Sequence, residues 1–264
     1  MSTPQGNNTR YRAAGRHRRL TTRSARLMLG GALGVVAAGG LSACTGITIA
    51  FDVDGSGDAE TVTYDFDSFD RVEIGSAFES TITIQSGDPS VEVTMDDNLF
   101  EDLDIEVSDG WLRIRMDDGT YDHKVDPEVV ITMPSLVELD VGGATETEVI
   151  GLSEPSFEVD SSGAADLKLF GAMGSLRIDA SGASNIEGDG SATDITLDTS
   201  GAAGVDLDDV SAETVQVDMS GASNAELGEV SEVSGDLSGA SSLEVPDGTT
   251  VSVSTSGAAS VERD

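Results

Sequence analysis

Six aspartates recur at near-constant spacing through the second half of the chain: Asp140, Asp160, Asp179, Asp198, Asp218 and Asp236, each three residues before a glycine. Ser254 takes the same place in the last repeat. Carboxylates stacked at one strand spacing, ~4.8 Å, repel by about 1 kcal/mol per pair in water and by more where water is thinned. Two chemistries relieve such a row. Each Asp can bond a neighbouring serine hydroxyl or a corner amide, with salt screening the remainder. Alternatively the row can collect hard divalent cations such as Ca²⁺, which take oxygen ligands. A second acidic row, Glu148, Glu187, Asp206, Glu226, Glu244 and Glu262, interrupted by Lys168, deepens the negative field. No calcium-binding nonapeptide repeat accompanies the rows, so any cation binding there is expected to be weak and distributed. Residues 52–60 also offer oxygen donors in the order of an EF-hand loop, with Asp52, Asp54, Ser56 and Gly57 at its first, third, fifth and sixth positions. The twelfth position is Thr63 rather than a bidentate Glu, and no helical pattern flanks it, so the stretch reads as a solvated acidic linker.

Other chemistry is thinly represented. A Gly-x-Ser-x-Gly elbow, a phosphate-cradling loop and a Cys/His metal set are all missing. Outside the basic leader the one histidine is His123, which reads as a solvated loop residue. Trp111 is the lone tryptophan and reads as core or rim. The repeats carry only Lys168, Arg177 and Arg263 as cations, too few to hold a polyanionic substrate, so a polysaccharide-active β-helix enzyme is the lesser alternative.

The single cysteine, Cys44, follows a distinctive leader. Seven arginines and no acid precede it, and residues 27–40 form an apolar run too short to cross a ~30 Å hydrocarbon layer but suited to a signal peptide. Leu41-Ser42-Ala43-Cys44 resembles the bacterial lipobox, in which the thiol accepts a diacylglyceryl group and the Cys becomes the new N-terminus. Several acyl chains at ~0.8 kcal/mol per buried CH₂ anchor durably where one would not. The expectation is therefore a signal peptide over 1–43, lipidation at Cys44, and a position on the extracytoplasmic face of a bacterial cell membrane. Arg18-Arg19 is compatible with twin-arginine export, though it stands well before the apolar run, which favours the general secretory route.

Stepping outward from these residues, the chain must be all-β. From 61 to 134 apolar residues alternate in short runs, such as Val72/Ile74, Ile82/Ile84 and Leu112/Ile114, separated by turn signals. From 135 to 264 a Gly-Ala corner recurs at Gly143, Gly163, Gly182, Gly201, Gly221, Gly239 and Gly257, spaced 20, 19, 19, 20, 18 and 18 residues apart. Apolar residues stand six and four places before most of these glycines and four after. One such unit cannot bury its own apolar face, but stacked units share a continuous core. A parallel β-helix with rungs of about 19 residues is predicted, seven rungs spanning roughly 30 Å. At each corner Gly permits the bend and Ala is expected to fill the tight interior. The expected organisation is a leader (1–43), an acidic flexible tether (44–60), an N-terminal β part (61–134) that caps or begins the solenoid, and the repeats (135–264).

The pattern resembles the GIN-domain family of auto-transporter adhesin heads. The resemblance is carried by Phe69-Asp70-Arg71-Val72-Glu73-Ile74, by Ala77 through Gly87, by Asp97-Asn98-Leu99, by Asp109-Gly110-Trp111-Leu112-Arg113-Ile114, and by Val130 through Leu136 leading into the Ser-Gly-Ala rungs. It implies a β-helical domain on an envelope protein. No membrane β-barrel pattern follows the repeats, and the expected lipid anchor would stand in for one.

Composition narrows the partners. The chain holds 49 acidic against 14 basic residues, and the part after the leader keeps seven of those bases, for a net charge of −42. That excludes direct nucleic-acid binding, which needs clustered Lys and Arg. Self-repulsion predicts a monomer at low salt. The expected task is a non-enzymatic one, adhesion to cell-surface or matrix macromolecules, with a Ca²⁺-binding structural element of the envelope as the alternative.

Overall fold

The computed structural model describes residues 9–11 and 52–263. Cys44, the apolar run and residues 44–51 of the expected tether lie outside the described residues. After β1 (Thr9–Tyr11) come β2 (Asp52–Asp54), β3 (Ala59–Tyr64), β4 (Arg71–Ile74), β5 (Glu79–Ile84) and β6 (Ser90–Asp96). A 3-10 helix at Asp97–Asp102 precedes β7 (Leu103–Ser108), β8 (Trp111–Met116), β9 (Thr120–Asp122) and β10 (Glu128–Met133). Ten strands then wind upward. They are β11 (Glu138–Val141), β12 (Glu146–Ser161), β13 (Asp166–Ala180), β14 (Asn185–Thr199) and β15 (Gly204–Met219), then β16 (Asn224–Leu227), β17 (Val230–Leu237), β18 (Ser242–Val245), β19 (Thr250–Thr255) and β20 (Ser260–Arg263).

The architecture is a parallel β-solenoid of about seven turns with ~19-residue rungs. One face stacks β8, β4, β11, the C-terminal halves of β12 to β15, then β17 and β19, all parallel. The next face stacks β10, β5, the N-terminal halves of β12 to β15, then β16, β18 and β20. Antiparallel strands finish the N-terminal end: β7 on β8, and β6 with β3 beside β10. β1, inside the expected leader, pairs antiparallel with β7.

Period-2 alternation makes this possible. Along β14, Ile186, Ala192, Ile195, Leu197 and Thr199 turn inward, and each lies opposite the equivalent residue of the rungs before and after. Like side chains therefore stack on like, and the inward rows fuse into one core that runs from Tyr64 to Val245. Each fully buried Val, Leu or Ile contributes about 1.5–3 kcal/mol from area removed from water.

At the corners the amide of each Ala reaches the carbonyl of the preceding Gly, as in Ala183 N to Gly163 O at 2.8 Å and Ala202 N to Gly182 O at 2.7 Å. The glycines adopt positive φ, +74° at Gly182. A Cβ there would lie 2.5 Å from Gly163 O, so the stacking itself demands glycine. The reading of the corner Ala is corrected here. The Ala after each Gly does not fill the interior: Ala144, Ala164, Ala183, Ala202, Ala222 and Ala240 are exposed, because the bend turns that position out. The small residue that enters the corner is the next one, Thr145, Ala165, Ser184, Ala203, Ser223 or Ser241. The ladder also begins earlier than the repeat, since Gly143 stacks on Ser76, whose φ is +75°. Ser76 can carry a side chain because no corner precedes it; its hydroxyl instead accepts the Met116 amide at 3.1 Å.

The expected tether is corrected as well. From residue 52 the chain is bound rather than free: β2 pairs parallel with β9, and β3 pairs with β6. The fully buried Asp96 carboxylate locks the junction by accepting the amides of Gly57 at 2.7 Å, Lys124 at 3.0 Å and Val125 at 3.2 Å. Burial pushes its pKa up, but the three amide bonds, helped by nearby His123, win and hold it below the ordinary carboxylate value. His123 is correspondingly no solvated loop residue; its side chain is 17% exposed and packs beside Tyr121 and Asp96. Asn98 ties down the former calcium-loop candidate, taking the Ser56 amide at 2.8 Å and donating to Asp54 O at 2.9 Å.

Candidate functional site

The six predicted aspartates form one outward row in strict register: Asp140 lies opposite Asp160, Asp179 opposite Asp198, and Asp218 opposite Asp236. The structure adds Glu73 at its head, opposite Asp140. The row is graded. Asp140 through Asp198 are half-buried, while Asp218 and Asp236 are exposed.

Arginines, rather than corner serines, offset the charge. Arg177 sits two residues before Asp179 and spans the row, with Nη2 2.6 Å from Asp198 Oδ2 and Nε 3.5 Å from Glu158 Oε1. At the head, Arg113 Nε holds Glu73 Oε2 at 2.7 Å, Arg115 holds Asp104 at 2.7 Å, and Arg71 faces Glu138 at 3.4 Å. Trp111 lies beside both Arg71 and Arg113, whose guanidinium carbons stand 5.8 and 5.7 Å from the ring centre. Such contacts add about 0.5–1 kcal/mol each at exposed sites. The corner serines beside the row turn to backbone instead: Ser181, Ser220 and Ser238 donate to the carbonyls of Ser161, Thr199 and Met219 at 3.4, 3.3 and 3.4 Å.

The compensation is incomplete. Burial pushes the Asp140 carboxyl up, and Glu73, Asp160 and Glu138 push it further. Asp160 is raised by burial and Glu158 against the pull of Arg177, and Asp179 by burial, Asp160 and Asp198 against the same pull. Carboxyls raised in the folded state bind protons more tightly there than in the unfolded chain, so stability grows as pH falls from neutrality toward about 4. Asp96 works in the opposite sense, and its contribution is lost as pH drops through its depressed folded value. The melting temperature is therefore expected to rise on acidification from pH 7 toward the ordinary carboxylate value of about 4 and to fall again below it, as the Asp96 contribution is lost. Thermal unfolding across pH checks this, and a D140N/D160N/D179N triple variant should flatten the rise.

The second row, Glu148, Lys168, Glu187, Asp206, Glu226, Glu244 and Glu262, also stands in register but on the neighbouring face. Lys168 Nζ approaches Glu187 at 3.9 Å. Beside this row a shallow cleft of about 170 Å³ is walled by Phe170, Glu187, Asp189, Asp206, Asp208 and Asp209. Asp206 pushes the Asp208 carboxyl up, with burial and Asp209 adding to it. Among the described residues no three acidic, histidine or cysteine side chains converge as a single metal cage.

The chain matches a known family over residues 68–249, described as "Putative auto-transporter adhesin, head GIN domain". The chain belongs to that family. Its fold is similar to a putative adhesin from Parabacteroides merdae, at 18% identity and TM-score 0.71, over 81% of this chain and 100% of the other. A putative adhesin from Bacteroides fragilis aligns at 17% identity and TM-score 0.74 over 80% and 100% of the two chains. A protein from Parabacteroides distasonis described as a putative lipid binding protein aligns at 17% identity and TM-score 0.66 over 81% and 100%. No curated protein matched the chain.

Proposed function

We propose that the chain is a non-enzymatic adhesion module, anchored through lipidated Cys44 at the extracytoplasmic face of a bacterial cell membrane, that meets cell-surface or matrix macromolecules through its flat charged faces. The carrying observation is the carboxylate row itself, held in register on a sheet with its N-terminal members part-desolvated and under-compensated. A polymer bearing repeated cationic or hydroxyl groups meets many such positions at once, and contacts that are weak singly add through effective concentration. The family's description as adhesin heads supports the same reading. Metabolic labelling with palmitate is expected to mark the full chain and to leave Cys44→Ala unmarked. Cells displaying the chain should bind partner cells or matrix, and the D140N/D160N/D179N variant should lose that binding several-fold; equal binding by the variant rejects the row as the contact surface.

The raised carboxyls of Asp140, Asp160 and Asp179 favour one second reading, in which the row gathers Ca²⁺ as a structural element. Millimolar Ca²⁺ would then raise the melting temperature beyond matched ionic strength, and the triple variant would abolish the shift.

A further inference from the structure

We infer that the last described turn is a self-recognition tip, at which β19 of one copy adds antiparallel to β19 of a second copy about a two-fold axis through Ser252. Among the described residues β19 pairs with β17 alone and β20 with β18 alone, and the other side of each strand presents a row of backbone donors and acceptors. Arg263 folds back to Thr249 O at 3.1 and 3.2 Å and covers the third side of the turn, not these two strands. Val251, Val253, Ala259 and Val261 are only partly buried, whereas Val233 and Leu243 one turn earlier are fully buried, so among the described residues this turn leaves apolar surface open.

The occupant follows from charge and register. β19 reads Thr-Val-Ser-Val-Ser-Thr and carries no charge, and its Ser254 replaces the acid that every earlier rung places in that row. In a chain of −42 after its leader this is a strand where two copies approach without setting the acidic rows against each other. The strand is also self-complementary. Antiparallel pairing centred on Ser252 puts Val251 opposite Val253 of the second copy on the inward side, twice by symmetry, with Ser252 opposite itself. The two cores become one. Because the remaining charge still repels, association is expected to strengthen as salt shortens the screening length, the reverse of an interface built on ion pairs. The tip lies at the opposite end of the stack from β2 and the anchor side, so displayed copies on facing cells would meet tip to tip. That role rests on the adhesion reading above; the dimer itself does not.

The test uses the full chain with Cys44→Ser, which takes no acyl group, in mild detergent. Sedimentation from about 0.01 M to about 0.5 M NaCl, where the screening length falls from roughly 30 Å to a few Å, should show monomer giving way to dimer. Ser252→Asp should weaken the dimer at least tenfold with an unchanged melting temperature, while Ser231→Asp, which adds the same charge away from the edge, should not. Ser252→Cys should form a 252–252 disulfide on oxidation, since residues directly opposed in antiparallel strands stand about 4.5–5.5 Å apart at Cα, within disulfide reach. Monomer at every salt overturns the inference, and so does a dimer that ignores Ser252→Asp and fails to cross-link. Neither result touches the adhesion reading, which stands or falls on cell binding by the D140N/D160N/D179N variant.

Discussion

Gly182→Ala is expected to cost about 3–5 kcal/mol, a large share of the 5–15 kcal/mol that holds an ordinary domain folded. Two terms add. An L side chain at φ +74° is strained by about 1–2 kcal/mol. The new Cβ also falls 2.5 Å from Gly163 O and 3.0 Å from Gly163 N, and those are backbone atoms of a stacked corner that cannot swing aside. Gly248→Ala separates the terms, because its φ is +95° but nothing stands within 4 Å of the added atom, so only the conformational part, about 1 kcal/mol, should appear. Urea unfolding of both variants measures the difference. A Gly182→Ala loss no larger than that of Gly248→Ala would mean that the corners stack more loosely than the Ala-to-Gly hydrogen bonds indicate.

The second large effect is expected at Asp96. Asp96→Ala leaves the amides of Gly57, Lys124 and Val125 without their shared acceptor, a loss of about 3 kcal/mol for a buried, hydrogen-bonded charge. Asp96→Asn keeps one carbonyl oxygen and should lose about half as much, while removing the acid-side loss of stability that the depressed carboxyl imposes. Hydrogen exchange should locate the damage, with amides at 52–58 and 123–125 released first and the rungs from β12 onward still protected. Uniform loss of protection through β12 to β15 would show that the clip supports the whole solenoid rather than its entry.

The solenoid was legible because its constraint repeats. Gly at every corner and apolar residues four and six places before it recur at Leu176, Ile178 and Gly182 as at Phe157, Val159 and Gly163, and stacking such units buries that pattern. The first turn was not legible. Its corner is Ser76, and residues 85–137 intervene before the next, so neither residue type nor spacing marks it. The direction of the corner Ala was misread because Ala fits inside and outside equally, and only the backbone path decides. Asp96 hid for another reason: it is one acid among 49, and its partners are backbone amides 28 to 39 residues distant that have no identity in a sequence. Arg177 could have been found, since it falls in the outward row two residues before Asp179, where the neighbouring rungs place Glu158 and Thr196.

Because each corner rests on an identical corner, the stack has no privileged length. Excising the chain from Ala183 through Gly201 joins Gly182 directly to Ala202, and the turn above still meets the same glycine carbonyl below it. Such a chain would be one storey shorter, by ~4.8 Å, with both ends unaltered. Copying that stretch would lengthen it by the same step. Length is thus a quantity that evolution can adjust in whole increments, without redesigning either end of the stack.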